Sequence, residues 1–248
     1  MRRSGWWLGF AVILVPNLVW ADDHRPEDII RAAIVAAGGN DSLGRYPAGR
    51  ILATGMILTD GTEVPVRIEQ IFHIPGRSRT LIRTNRKTRD QLLLQVVNGA
   101  RMRTLLNGAT IPTTDSAARE AQMASLLLEV GQLTPLLSDR KFTLKHDHSV
   151  RGNDSVGLIL HTKGMPDLRL GFDRKSGHLI RINRKAPDPE TAKATDWEQV
   201  FGNHKTFQGM IRPTTAMVYK DGIKILELTT ETFTPLETTE ATAFAIDD

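Results

Sequence analysis

Glycine-bearing tight turns recur along this chain at intervals that leave room only for local pairing. Asp60-Gly61, Pro75-Gly76, Asn98-Gly99 and Asn107-Gly108 divide the stretch from Arg50 to Leu106 into short segments. A parallel strand pair needs a crossover of roughly a dozen residues or more, and these turns supply none. An antiparallel meander follows. Its expected strands are Arg50 to Thr59, Glu63 to Ile74, Arg79 to Thr84, Gln91 to Val97 and Arg101 to Leu106. In the second, Val64, Val66, Ile68 and Phe72 fall on one face.

The pattern then changes. Thr114-Asp115 can cap a helix running to about Val130, in which Met123, Leu126, Leu127 and Val130 follow helical spacing. Strands resume at Lys141 to Val150, Ser155 to Thr162, Leu168 to Phe172, His178 to Arg184, Trp197 to Phe201, Met210 to Tyr219 and Ile223 to Thr232. The polar stretch from Ala186 to Thr195 reads as a loop. A short helix precedes all of these. Pro26 suits its first turn, Glu27 and Asp28 suit its dipole, and Ile29, Ile30, Ala33, Ile34 and Ala37 make one apolar face ending at Gly38-Gly39.

The first residues read as a targeting segment. Arg2 and Arg3 precede an uncharged apolar run from Trp6 to Val19, and Val19-Trp20-Ala21 fits a cleavage site before Asp22. The run is shorter than the roughly 20 residues of a spanning helix. A signal peptide over 1–21 and a single domain over 22–248 are therefore expected, with a periplasmic or secreted location. The chain has no Cys, hence no disulfide and no thiol to carry a lipid. Its formal charge of +4 falls to +2 without Arg2 and Arg3, which gives no reason to expect a nucleic-acid partner.

The order of elements, together with three local stretches, resembles a known family. Gly171 to Leu179 is similar to that family's strand ending in Phe-Asp, charged turn with Gly, and following strand. Phe201 to Pro213 resembles its aromatic and Gly-x-x-x-Pro stretch, and Lys220-Asp221-Gly222-Ile223-Lys224 its last hairpin. The family is the LolA/LolB-like superfamily, and within it the periplasmic outer-membrane lipoprotein-sorting relatives. The resemblance implies a mainly β, α+β fold: a curved antiparallel half-barrel of about 11 strands whose concave face is covered by helices. It also implies a hydrophobic groove between them that takes lipoprotein acyl chains. The chaperone's internal lid-locking arginine is assigned to no single residue of this sequence, and without Cys the chain is not the receptor lipoprotein.

A half-barrel is hard to fill with its own side chains, which leaves apolar space under covering helices. The groove is expected along Val66, Ile68, Phe72, Met123, Leu126, Leu127 and Val130. Each of these also suits an ordinary core. Arg77, Arg79, Arg83, Arg86, Lys87 and Arg89 cluster within one hairpin, with Arg101 and Arg103 beyond; they suit either an anionic partner or the charged guarding of a sheet edge.

Motifs for chemistry are few. His146 and His148 lie two apart on one strand face, but zinc needs a third ligand and Asp147 points away; His161 on the next strand faces either side. No Gly-x-Ser-x-Gly elbow or phosphate loop is present. No metal, cofactor or catalytic residue is expected. Three readings remain. The first is a monomeric carrier or chaperone for lipoprotein acyl chains or another lipid. The second is an envelope sensor or interaction module meeting inner- or outer-membrane proteins. The third is an enzyme on a borrowed fold.

Overall fold

A computed structural model describes residues 25–59, 61–86, 89–149, 154–188 and 193–246. The expected signal segment 1–21 lies outside the described residues. The chain opens with helices α1 (Pro26–Ala36) and α2 (Gly39–Arg45). A first meander follows: β1 (Ala48–Thr59), β2 (Thr62–His73), β3 (Arg77–Arg86), β4 (Arg89–Asn98), β5 (Arg101–Leu106) and β6 (Ala109–Ile111). Helices α3 (Asp115–Gln132) and α4 (Pro135–Ser138) lead to a second: β7 (Phe142–His146), β8 (Ser155–Thr162), β9 (Leu168–Asp173), β10 (Leu179–Pro187), β11 (Ala194–Phe207), β12 (Met210–Lys220) and β13 (Ile223–Leu236). A single 3-10 turn, Ala241–Phe244, closes the described chain.

All the strands form one open antiparallel sheet in the order β6-β5-β4-β3-β2-β1-β13-β12-β11-β10-β9-β8-β7. It has 13 strands, not about 11. One addition is β6, three exposed residues too short to show an alternating pattern. The expected Ala186 to Thr195 loop is also corrected. β10 and β11 extend into it through the pairs Ala186↔Thr195 and Pro187↔Ala194, and both Ala186 and Thr195 are buried. The start of the chain holds two helices where one was expected. Gly38 sits at φ +110 between them, and a Cβ there would fall 2.0 Å from the Gly209 carbonyl oxygen. Only glycine allows that approach, which docks the helix pair on the β11–β12 turn; the Ile211 N–H completes it by donating to the Ala37 carbonyl at 2.8 Å.

The topology explains why α3 lies across the sheet. β6 is one edge and β7 the other, so the chain between them must travel from edge to edge. Thr114 starts the helix by accepting from the Ala117 N–H at 3.2 Å. Eighteen residues make a helix about 27 Å long. Twelve strand spacings of about 4.8 Å would make a flat sheet nearly 60 Å wide. One helix cannot cover that face, and its stripe is committed to one part of it. Met123, Leu126 and Val130 pack with Ile29, Ile30 and Ile34 of α1 and Leu136 of α4 onto Leu158, Leu160, Leu168, Leu170 and Phe172 of β8 and β9. These sheet residues are almost wholly buried, and each contributes about 1.5–3 kcal/mol of apolar burial. Arg184 of β10 fixes the helix laterally with a fork of bonds to Glu120 at 3.2 and 2.9 Å.

Candidate ligand cavity

β1 and β13, the first and last strands, pair in the middle of the sheet. Over this seam, the helices and the sheet do not meet completely. A cavity of about 340 Å³ remains. Its floor is Ile51, Phe72, Phe201 and Phe233 from β1, β2, β11 and β13; its roof is Ala124, Leu127 and Leu128 of α3 with Ala33 of α1 and Ala37, the residue that caps it. Gly49 makes the floor possible. A Cβ there would come within 2.6 Å of the Phe233 ring and 2.9 Å of the Phe72 ring, so the missing side chain lets both rings approach β1. Phe207 meets Phe233 edge-on at 5.4 Å.

Besides Gln70, Gln199 and Thr230, three ionisable groups interrupt this apolar lining. His178 and His204 stack nearly parallel, ring centres 4.2 Å apart. Burial is the main cause lowering both pKa values, His204 to about 4 with His178 adding to the effect, so the pair is neutral at pH 7. Arg212 is the third. Its guanidinium donates to the Gly131 carbonyl and to the Gln132 side-chain oxygen at the end of α3, and lies 5.9 Å from the Phe233 ring. Gln132 in turn donates to the Tyr46 carbonyl at 2.9 Å. Desolvation alone pulls the Arg212 pKa down to about 10.

The residues expected to form a groove divide. Phe72 and Leu127 line the cavity. Met123, Leu126 and Val130 sit in the core beside it. Val66 and Ile68 continue the face of Phe72 along β2, Val66 buried and Ile68 half-buried. Arg77, Arg79 and Arg83 point from β3 to the opposite face of the sheet, away from the cavity. There Arg77 lies 5.7 Å from the Phe244 ring, and Arg79 faces Arg103 of β5 across Val96 of β4. Arg86 ends β3 and Arg89 begins β4, while Lys87 lies outside the described residues.

His146 and His148 stack at 5.8 Å, and the buried Asp147 accepts from the Ser149 N–H and hydroxyl. His161 is exposed and contacts Asp167 at 2.8 Å. Among the described residues no three His, Cys, Asp or Glu side chains gather as a metal site, and no helix is long and apolar enough to cross a membrane.

Sequence reading missed Arg212, His178 and His204. Arg212 shares its strand face with Met210 and Thr214, whose burial only the fold reveals. The histidine pair gave no signal either, since it forms only through the register of β10 and β11.

No protein-family model and no curated protein matches the sequence. Solved structures do. A LolA superfamily protein from Nitrosomonas europaea superposes with a TM-score of 0.56 at 12% identity, covering 89% of this chain and 97% of its own. A DUF1329 family protein from Desulfovibrio piger gives 0.55 at 12%, covering 89% and 99%. A domain named for outer membrane lipoprotein sorting, from Vibrio parahaemolyticus, gives 0.54 at 12%, covering 88% and 94%. The chain has a LolA-like fold.

Proposed function

We propose that this protein is a periplasmic carrier that holds an acyl chain, of a lipoprotein or of another lipid, in the cavity between α3 and the β1–β13 seam. The observation that carries the reading is the lining itself. Phenyl rings, alanines and leucines from four strands and two helices converge on open space instead of filling it. Folded interiors are close-packed, and an apolar void of this size in a fold that could collapse onto it is a cost that an occupant removes. Acyl burial is worth about 0.8 kcal/mol per methylene, so part of one chain suffices for useful affinity. Ile68 and Val66 would continue the apolar path along β2 beyond Phe72. The name of the Vibrio domain and the apolar run at Trp6 to Val19 support a role in the cell envelope. The site asks for binding and release; the reading assigns no catalytic step to it.

Native mass spectrometry of protein purified from its own periplasm tests this. Co-purified acyl species that leave on delipidation, and a fluorescent fatty acid that rebinds, are expected. Leu127→Asp should abolish rebinding by placing a carboxylate in the apolar lining. Protein that carries no lipid and takes up no fatty acid would overturn the reading.

A further inference from the structure

Among the described residues every buried carboxylate is compensated, and one half-buried cation is not. Glu129 pairs with Lys141 at 2.5 Å, Asp188 with Lys220, and Asp147 lies 3.8 Å from Arg169. Arg184, the most enclosed of the bridged arginines, has Glu120. Arg212 has no carboxylate partner among the described residues. Its two bonds go to neutral oxygens, and its Nε–H meets no acceptor. Two acceptors satisfy two of the five guanidinium donors and leave the positive charge uncompensated. Burial of an unpaired charge is costly, and a fold keeps one where something else supplies the counter-charge.

The position of Arg212 says where that counter-charge comes from. It lines the apolar cavity, and no Asp, Glu or Lys does. The two histidines beside it are neutral at pH 7. The cavity therefore presents one permanent cation to its occupant, against walls that are otherwise mainly hydrocarbon. The bond to the Gly131 carbonyl holds the end of α3 against it.

Resting on the carrier reading above, we infer that the cavity selects a single-chain amphiphile with an anionic head, the chain lying against Phe72 and Leu127 and the head accepting hydrogen bonds from Arg212. The guanidinium fork matches a carboxylate or phosphate, and enclosure strengthens such bonds. A neutral ester or alcohol of the same length would fill the same volume and leave the charge unmatched.

The test is a head-group series on the delipidated protein: dodecanoate, dodecyl phosphate, dodecanol and methyl dodecanoate, each measured by displacement of a fluorescent fatty acid at pH 7. The anionic pair should bind about tenfold tighter than the neutral pair or better. A preference for the carboxylate would assign a free fatty acid, and one for the phosphate a phosphate-headed lipid; either supports the inference. Arg212→Leu should erase the difference between charged and neutral probes while still binding dodecanol. Arg212→Lys keeps charge without the fork and should retain part of it.

Equal binding of all four probes by the wild type would overturn head-group selection and leave the carrier reading standing. Binding of none would overturn the carrier reading too. Discrimination that persists in Arg212→Leu would remove the assignment to this residue. The wild-type series needs no variant, so it decides the matter even if Arg212→Leu folds poorly.

Discussion

The two ends of the sheet are built alike and finished differently. On the helix-bearing face of β8 and β9, Leu158, Leu160, Leu168, Leu170 and Phe172 are shut from solvent by α1, α3 and α4. On the same face of β2 to β5, the row Ile68↔Ile82↔Leu93↔Leu106 is only half-buried. The next row, Gln70↔Thr80↔Gln95↔Thr104, is polar, and Gln70 donates to Thr80 at 2.9 Å. Strand geometry and hydrophobic alternation are shared by both ends. What differs is coverage, and coverage follows from a helix too short for the sheet. One end is core; the other stays partly open beside the cavity.

Mutation at the two ends should separate them, and the largest effect belongs to the closed one. Leu170→Ala should cost about 2–5 kcal/mol in urea unfolding, because no side chain can move in to fill the space. Ile82→Ala in the open row should cost about 1 kcal/mol or less. Equal losses would mean that both ends are core and the contrast is false.

Acid comes next. The folded pKa of His204, about 4, lies below its ordinary value of 6.5. As pH falls from 6.5 the unfolded chain takes the proton first, so stability falls between about 6.5 and 4 and levels off below that. The share due to His204 is up to about 3 kcal/mol. Unfolding measured across this window should therefore be flatter in His204→Asn than in the wild type. Parallel curves would show that the stacked pair at the cavity wall is not desolvated.

Two substitutions on α3 sharpen the boundary itself. Met123→Trp overpacks the closed side and should destabilise by roughly 1–3 kcal/mol without touching the cavity. Ala124→Met, one residue on, projects into the cavity. Its melting temperature should hold or rise while affinity for a fluorescent fatty acid falls. The smallest effect belongs to Leu127→Met, which keeps volume and apolarity and should change both properties little. If Met123→Trp lost affinity and kept its stability, the assignment of the two helix faces would be reversed.

Much of this was legible from the chain. Gly at φ-demanding turns such as Asn107-Gly108 and Asp221-Gly222 announces hairpins, and both central residues there take positive φ as type I′ turns require. Thr114 announces α3. The stripe Met123, Leu126, Leu127, Val130 announces an apolar face, but its spacing cannot say that Leu127 looks into a void while its three neighbours are packed. That depends on what lies opposite, and here the opposite surface is the seam between strands from the two ends of the chain. Arg212 was hidden for the same reason. A lone arginine on a strand is ordinary until the face it shares is known to be interior.

That seam also sets an order of events. Phe233 and Thr230 of the cavity floor belong to β13, whose partner β1 lies some 180 residues earlier in the chain. Contacts of such separation are the slowest to form, because a long loop must close before they repay it. β1 to β6 can fold as a local meander while the rest is still extended. The cavity cannot be complete until the last strand arrives. A chain cut short before Ile223 would lose Phe233 and Thr230 from the cavity floor, and with them the strand that joins β1 to β12.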